Sequence, residues 1–144
     1  METDYGANTG KMSAIRSLAT LAHNCRRTDR FQAELTDALR IIERGDMSAA
    51  EMRGAWAGEL GQTQFLPSSY MKFAVDFDGN GRRDLIRSVP DVLASTANYL
   101  RGYGWKRGQS WDEGTANFAV LREWNKSGVY AETVGYFAGE LAGR

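Results

Sequence analysis

The sequence predicts a mainly α fold, and three observations carry that prediction. Apolar residues recur at three- and four-residue spacing along nearly the whole chain, the signature of helices burying one face. Only Lys72–Phe77, "KFAVDF", has the character of a strand. The chain of 144 residues holds only two prolines and no repeat or low-complexity linker, so it reads as one domain spanning 1–144.

Each element has its own warrant. Met12, Ile15, Leu18, Ala19 and Ala22 form the first apolar stripe. Phe31, Leu35, Leu39 and Ile42 form the second, which stops at Gly45, a natural C-terminal cap. "SAAE" at Ser48–Glu51 has capping-box spacing and predicts a helix start. "SVPD" at Ser88–Asp91 predicts another, with Pro90 tolerated in the first turn and an end near Gly104. Phe118, Leu121, Val134, Phe137 and Leu141 predict two closing helices around an "NKSG" turn.

Composition narrows the chemistry. Hydrophobic residues make up 42% and charged residues 25%, as in globular proteins. The 18 basic and 18 acidic residues balance, so no global field favours nucleic acid or an anionic membrane. Cys25 is the single cysteine and His23 the single histidine, which argues against disulfides, His-rich zinc sites and Ser-His-Asp or Cys-His catalysis. A reaction here must lean on carboxylates. No membrane-spanning run or signal peptide is visible in the chain.

Two neighbouring segments stand out. Gly54 to Tyr70 sets small residues (Gly54, Ala55, Ala57, Gly58, Gly61) among Gln62, Gln64, Ser68 and Ser69 and the aromatics Trp56, Phe65 and Tyr70. Amides, hydroxyls and flat rings suit a sugar; a tight helix-turn-helix junction with polar caps fits the same composition. In "DFDGNG", Asp76, Asp78, Asn80 and Gly81 stand at positions one, three, five and six of a calcium loop. Position twelve is Arg87 instead of Glu, and Asp91 could supply that carboxylate from a longer loop. An Asx-turn loop without metal fits equally.

Among the glutamates, Glu34, Glu43, Glu51, Glu132 and Glu140 read as solvated helix positions. Glu59 differs by lying inside the Gly/Gln-rich segment, and Glu2 by preceding a compact turn with Tyr5 and Gly6. An acid that protonates a glycosidic oxygen needs a raised pKa, hence partial burial. Tyr99, Tyr103 and Trp105 end one helix, and Trp124, Asn125 and Tyr130 cluster later; aromatics at helical spacing are mostly core, whereas an Asn among them at a helix end suits a ligand.

With these residues assembled, the chain resembles the membrane-bound lytic transglycosylase B family of murein-degrading enzymes. The likeness runs through "ETDYGANTG", "GELGQTQFLPSSYMKFAVDFDGNGRRDL", "SVPDVLASTANYLRGYGW" and "NFAVLREWNKSGVYAETVGYFAGELAGR", in order and over essentially all 144 residues. The resemblance implies a lysozyme-like α domain with a short β/EF-hand-like calcium loop. It implies bacterial peptidoglycan glycan strands as partner, a periplasmic or cell-envelope location and a monomer. It also implies cleavage of the β-1,4 bond between N-acetylmuramic acid and N-acetylglucosamine, leaving a 1,6-anhydromuramoyl end.

Matched by motif, Glu2 is the catalytic acid and base, and Gln64, Tyr99, Asn125 and Tyr130 line the sugar groove. Asp76, Asp78, Asn80, Asp91 and the Arg82 carbonyl form the calcium loop, a structural site, so the chemistry itself needs no cofactor. Two positions depart from the family pattern. Glu59 stands where a small or apolar residue is common and becomes a second groove carboxylate; Ala55 stands where a Ser is common. The resemblance also implies that most of the catalytic helix before Glu2 is missing, which would impair activity. A non-catalytic murein-binding module is the alternative, and a calcium-responsive interaction protein a third reading.

Overall fold

The computed structural model describes residues 3–4, 6–24 and 26–143. Elements follow in the order β1 (Met12–Ser13), α1 (Ala14–Asn24), α2 (Thr28–Glu43), β2 (Arg53–Gly54), α3 (Pro67–Phe73), α4 (Val89–Gly102), α5 (Ala116–Trp124) and α6 (Gly128–Leu141). Two compact units divide the chain after Asn98.

In the first unit α1 packs on α2, and α2 on α3. Their core contains Ala14, Leu18, Ala38, Ile41, Met52, Leu60, Phe65 and Tyr70, all buried. β1 and β2 pair antiparallel, Met12 opposite Gly54 and Ser13 opposite Arg53. The expected helical stripe of α1 therefore starts late: Met12 is drawn into the sheet and lies exposed, and the helix begins at Ala14.

Four local expectations need correction. The capping box of Ser48–Glu51 forms, with the Ser48 N–H donating to Glu51 Oε2 at 2.9 Å and the Glu51 N–H to Ser48 Oγ at 3.3 Å. No helix follows it, because the chain is committed to β2 two residues later. "KFAVDF" is not a strand: α3 runs to Phe73, with Pro67 in its first turn, and residues 74–77 pair with no strand. In α2 the buried stripe is Glu34, Ala38 and Ile41, while Leu39 is exposed. Glu34 is thus no solvated position. Its carboxylate accepts the Ser68 N–H at 2.9 Å and the Ser68 hydroxyl at 2.7 Å, fastening α2 to the start of α3.

In the second unit α5 and α6 pack together through Phe118, Leu121 and Ala131, against Leu100, Trp105, Trp111 and Val134. Ser127 and Thr115 cap these helices as side-chain acceptors. Buried Asn117 organises the preceding loop, accepting the Lys106 N–H at 2.7 Å and donating to the carbonyls of Lys106 and Gln109. Among the described residues, no helix is long and apolar enough to cross a membrane.

Candidate active site

The Gly54–Phe65 segment folds as a tight hairpin-like coil, and its small residues explain how. Gly54 bridges to Leu60, which pairs in turn with Phe65. A Cβ on Gly54 would sit 1.8 Å from the Glu59 carbonyl oxygen, and one on Gly61 would sit 2.4 Å from that of Leu85. Only glycine allows these backbone approaches. The coil is tied outward as well: the Gln62 N–H donates to Leu85 O at 2.9 Å and its side-chain amide to Ile86 O at 3.0 Å.

Glu2 lies outside the described residues, but its successor is informative. Thr3 is buried, and its hydroxyl donates to Gln62 O at 2.7 Å. Its carbonyl accepts the N–H groups of Gly6 and Asn8, closing the turn that follows. A side chain at Gly6 would collide with Gln62. The amino-terminal turn is thereby seated on the Gly61–Gln64 stretch, a contact over 59 residues for which the sequence offers no local signal.

Gln64 is one of two described non-glycine residues with positive φ, at 55°. Such a conformation costs a non-glycine residue about 1 kcal/mol or more and persists where surroundings enforce it, commonly at functional sites. Its side-chain Nε2 donates to Thr9 O at 3.2 Å and to Gly61 O at 2.9 Å. Glu59 is half-buried and folds back to accept the Ala57 N–H at 3.1 Å, so it caps its own turn. Of the three aromatic residues between Gly54 and Tyr70, Phe65 and Tyr70 are core, and Trp56 is 65% exposed. Tyr70 donates its hydroxyl to the Arg83 carbonyl, and burial, reinforced by the buried Asp46 carboxylate, pushes its pKa well above the usual value.

Tyr99 belongs to the second unit. Its hydroxyl donates to Glu123 O at 3.0 Å, and its ring meets Trp124 edge-on at 4.8 Å and Tyr103 at 4.7 Å. Burial, and secondly the neighbouring Tyr103, raise its pKa. Asn125 ends α5, accepting the Ser127 N–H on its Oδ1 at 3.0 Å. Tyr130, in the first turn of α6, is half-buried.

The acidic loop is built tightly. Asp76 accepts the N–H groups of Gly79 and Asn80 on one oxygen and that of Gly81 on the other. Desolvation pushes the Asp76 pKa up, but these backbone donors, Gly81 first, outweigh it and hold the carboxyl below its ordinary value. Asp91 is fully buried at the start of α4; Oδ1 accepts from the Phe77 N–H at 2.8 Å and Oδ2 from the Asp84 N–H at 2.9 Å. Ser88, which the sequence marks only as a helix cap, links the parts: its hydroxyl donates to Asp78 at 3.0 Å and accepts the Asp91 N–H at 3.3 Å. Carboxylate oxygens of Asp76, Asp78 and Asp91 lie within 4.8 Å of one another. Asn80 adds an amide oxygen, which accepts the Arg82 N–H at 2.9 Å. An all-oxygen set of three carboxylates and an amide fits a hard divalent cation such as calcium, and Asp91 brings the third carboxylate into the set where position twelve of the loop is Arg87. Arg87 instead pairs with Glu51 at 2.7 Å. The Ser48 N–H, Arg87 and the Ser48 hydroxyl together hold the Glu51 pKa at about 2.

Comparison with known proteins places this geometry. The chain is 38% identical over 109 residues to membrane-bound lytic murein transglycosylase B of Escherichia coli strain K12, covering 75% of this chain and 30% of that protein. It superposes on SltB3 of Pseudomonas aeruginosa, crystallised with NAG-NAM-pentapeptide, with a TM-score of 0.92 and 34% identity, covering 100% of this chain and 55% of the other. It superposes likewise on the Escherichia coli lytic transglycosylase Slt35 in complex with calcium, with a TM-score of 0.84 and 26% identity over 96% of this chain and 62% of that one. The expected mainly α, lysozyme-like fold class therefore holds. The chain spans less than a third of the curated relative and about half of the SltB3 chain. Residues 1–114 match the family described as the transglycosylase SLT domain, and the chain belongs to that family.

Proposed function

We propose that residues 1–144 form a lytic murein transglycosylase domain that cleaves the β-1,4 bond between N-acetylmuramic acid and N-acetylglucosamine in the bacterial cell envelope. The observation that carries this is the family match from residue 1 to residue 114, which takes in Glu2, Glu59, Gln64 and the acidic loop. A solved relative 34% identical to this chain binds NAG-NAM-pentapeptide, which supports murein strands as the substrate class.

Glu2 acts first as general acid, passing its proton to the glycosidic oxygen as the bond to muramoyl C1 breaks. The resulting carboxylate then takes the proton from the muramoyl C6 hydroxyl as O6 bonds to C1. No water is consumed, and the product ends in a 1,6-anhydro ring. Attack from within the same sugar gains from proximity, which removes the need for a second carboxylate to activate water. The hydrogen bond from Thr3 to Gln62 supports this role, because it ties the next residue in the chain to the coil that carries Gln64. Gln64, Tyr99, Asn125 and Tyr130 contact the glycan, with Glu59 as an additional polar contact. Calcium would be held by Asp76, Asp78, Asp91, Asn80 and the Arg82 carbonyl, and its contribution is structural: it neutralises three crowded carboxylates. The domain acts as a periplasmic monomer.

Purified murein sacculi incubated with the chain should yield anhydromuropeptides, and Glu2→Gln should lower the yield by at least about a thousandfold, as loss of a required acid–base group does. Binding to sacculi without anhydro product would overturn the enzymatic reading and favour a murein-binding module.

A further inference from the structure

Beside the coil that carries Glu59 and Gln64, the first unit carries a groove of about 550 Å³ along β1 and the first turns of α1. Lys11, Met12, Arg16 and Thr20 form one side, and Arg53 and Trp56, which flank Gly54, form the other. Its charge is one-sided. Among the described residues, no acidic side chain lines it, although the whole chain is neutral. Among the described residues, none of Lys11, Arg16 and Arg53 takes part in an ion pair.

Arg53 is held in place from behind, donating Nε to Ala50 O and Nη1 to Lys11 O, both at 3.3 Å. Those neutral carbonyls leave its charge uncompensated. Trp56 and Met12 are 65% and 53% exposed, a large apolar area for a surface position. Three cations beside an indole suit an elongated ligand with methyl groups and free carboxylates, which is a short peptide. A glycan whose lactyl carboxyls are tied up in amide bonds is uncharged, and needs rings and hydroxyls but no cluster of cations.

We propose that this groove seats the peptide stem of a murein strand, its cations taking the stem carboxylates and Trp56 covering the apolar side chains. The proposal rests on the murein reading above. It is favoured by continuity, since Trp56 lies in the same coil as Glu59 and Gln64. Lys11, Arg16 and Arg53 then set specificity for peptide-bearing over naked strands.

Dissociation constants test it, measured on the whole chain for three probes: GlcNAc-MurNAc-pentapeptide, the same compound with its carboxylates amidated, and peptide-free GlcNAc-MurNAc with its lactyl carboxyl capped as the methylamide. The peptide should tighten binding about tenfold, and amidation should remove most of that gain, as should raising the salt to about 1 M, where screening shortens to about 3 Å. In the double variant Lys11→Glu/Arg16→Glu, the ratio of affinities should fall below about twofold with the far-UV circular dichroism unchanged. The amidated probe on the unaltered chain decides the matter even if that variant fails to fold. Binding of all three probes with equal affinity overturns the peptide groove and leaves the murein reading standing. Failure of every probe to bind, with sacculi uncut, overturns both.

Discussion

Replacing Asp91 by alanine should loosen the first unit by about 3 kcal/mol in the absence of calcium. The magnitude follows from what the carboxylate holds. Asp91 is fully buried and accepts close backbone bonds from Phe77 at 2.8 Å and Asp84 at 2.9 Å, besides a longer one from Asp78 at 3.4 Å. A hydrogen bond to a charged group contributes about 1.5–3 kcal/mol net, so the two close bonds together give about 3–6 kcal/mol. Part of this is recovered, because Phe77 and Asp78 lie on an exposed stretch where water can replace the lost acceptor and because an ionised group no longer has to be desolvated. The lower end of the range is therefore expected. Urea unfolding followed by far-UV circular dichroism, in a calcium chelator, reads the difference; at an m-value of about 2 kcal/mol/M the midpoint should drop by about 1.5 M. Added calcium should raise the midpoint of the unaltered chain and leave that of the variant nearly where it was. A midpoint within about 0.2 M of the original in chelator would refute the reasoning, since it would mean that the buried carboxylate contributes no net stability to the loop.

Acid should weaken the capping box in a defined window. Glu51 has its pKa lowered from 4.5 to about 2, so its stabilising contribution is fully present above about pH 4.5 and is lost as pH falls toward 2; Glu51→Gln should flatten the urea midpoint over that range relative to the parent. Gly54→Ala should cost about 3 kcal/mol or more, or prevent folding of the first unit, because its Cβ would sit 1.8 Å from the Glu59 carbonyl oxygen; a thermal midpoint within a degree of the parent would contradict the close approach.

Local chemistry was legible wherever a few adjacent residues settle the backbone. "SVPD" starts α4 as expected, Gly45 ends α2 with a φ of 80°, and Ser127 opens α6 after the short turn. Part of the acidic loop was legible for the same reason: Asp76, Asp78 and Asn80 follow one another at fixed spacing, and the carboxylate oxygens of Asp76, Asp78 and Asp91 do lie within 4.8 Å of one another. What the sequence concealed depends on partners far along the chain. Glu34 reads as solvated until Ser68, 34 residues on, arrives to satisfy it. "SAAE" reads as a helix start, yet its box caps a single turn, since Arg53 and Gly54 must reach β1. In "KFAVDF" the alternation is real, but Lys72 and Phe73 complete α3 and the remainder meets no neighbouring strand. The candidate site divides the same way. Gln64 stood out by its company, whereas its backbone conformation and the tie from Thr3 to Gln62 come only from long-range contact.

Gln64 carries one further consequence. Both hydrogens of its amide are already spent on the carbonyls of Thr9 and Gly61. What it can offer a visitor is consequently the oxygen alone, on an arm whose swing was frozen when the domain folded. Any sugar meeting it must therefore bring the hydrogen, from a hydroxyl or an acetamido N–H, and a ring bearing an ether or carbonyl oxygen at that point would be turned away.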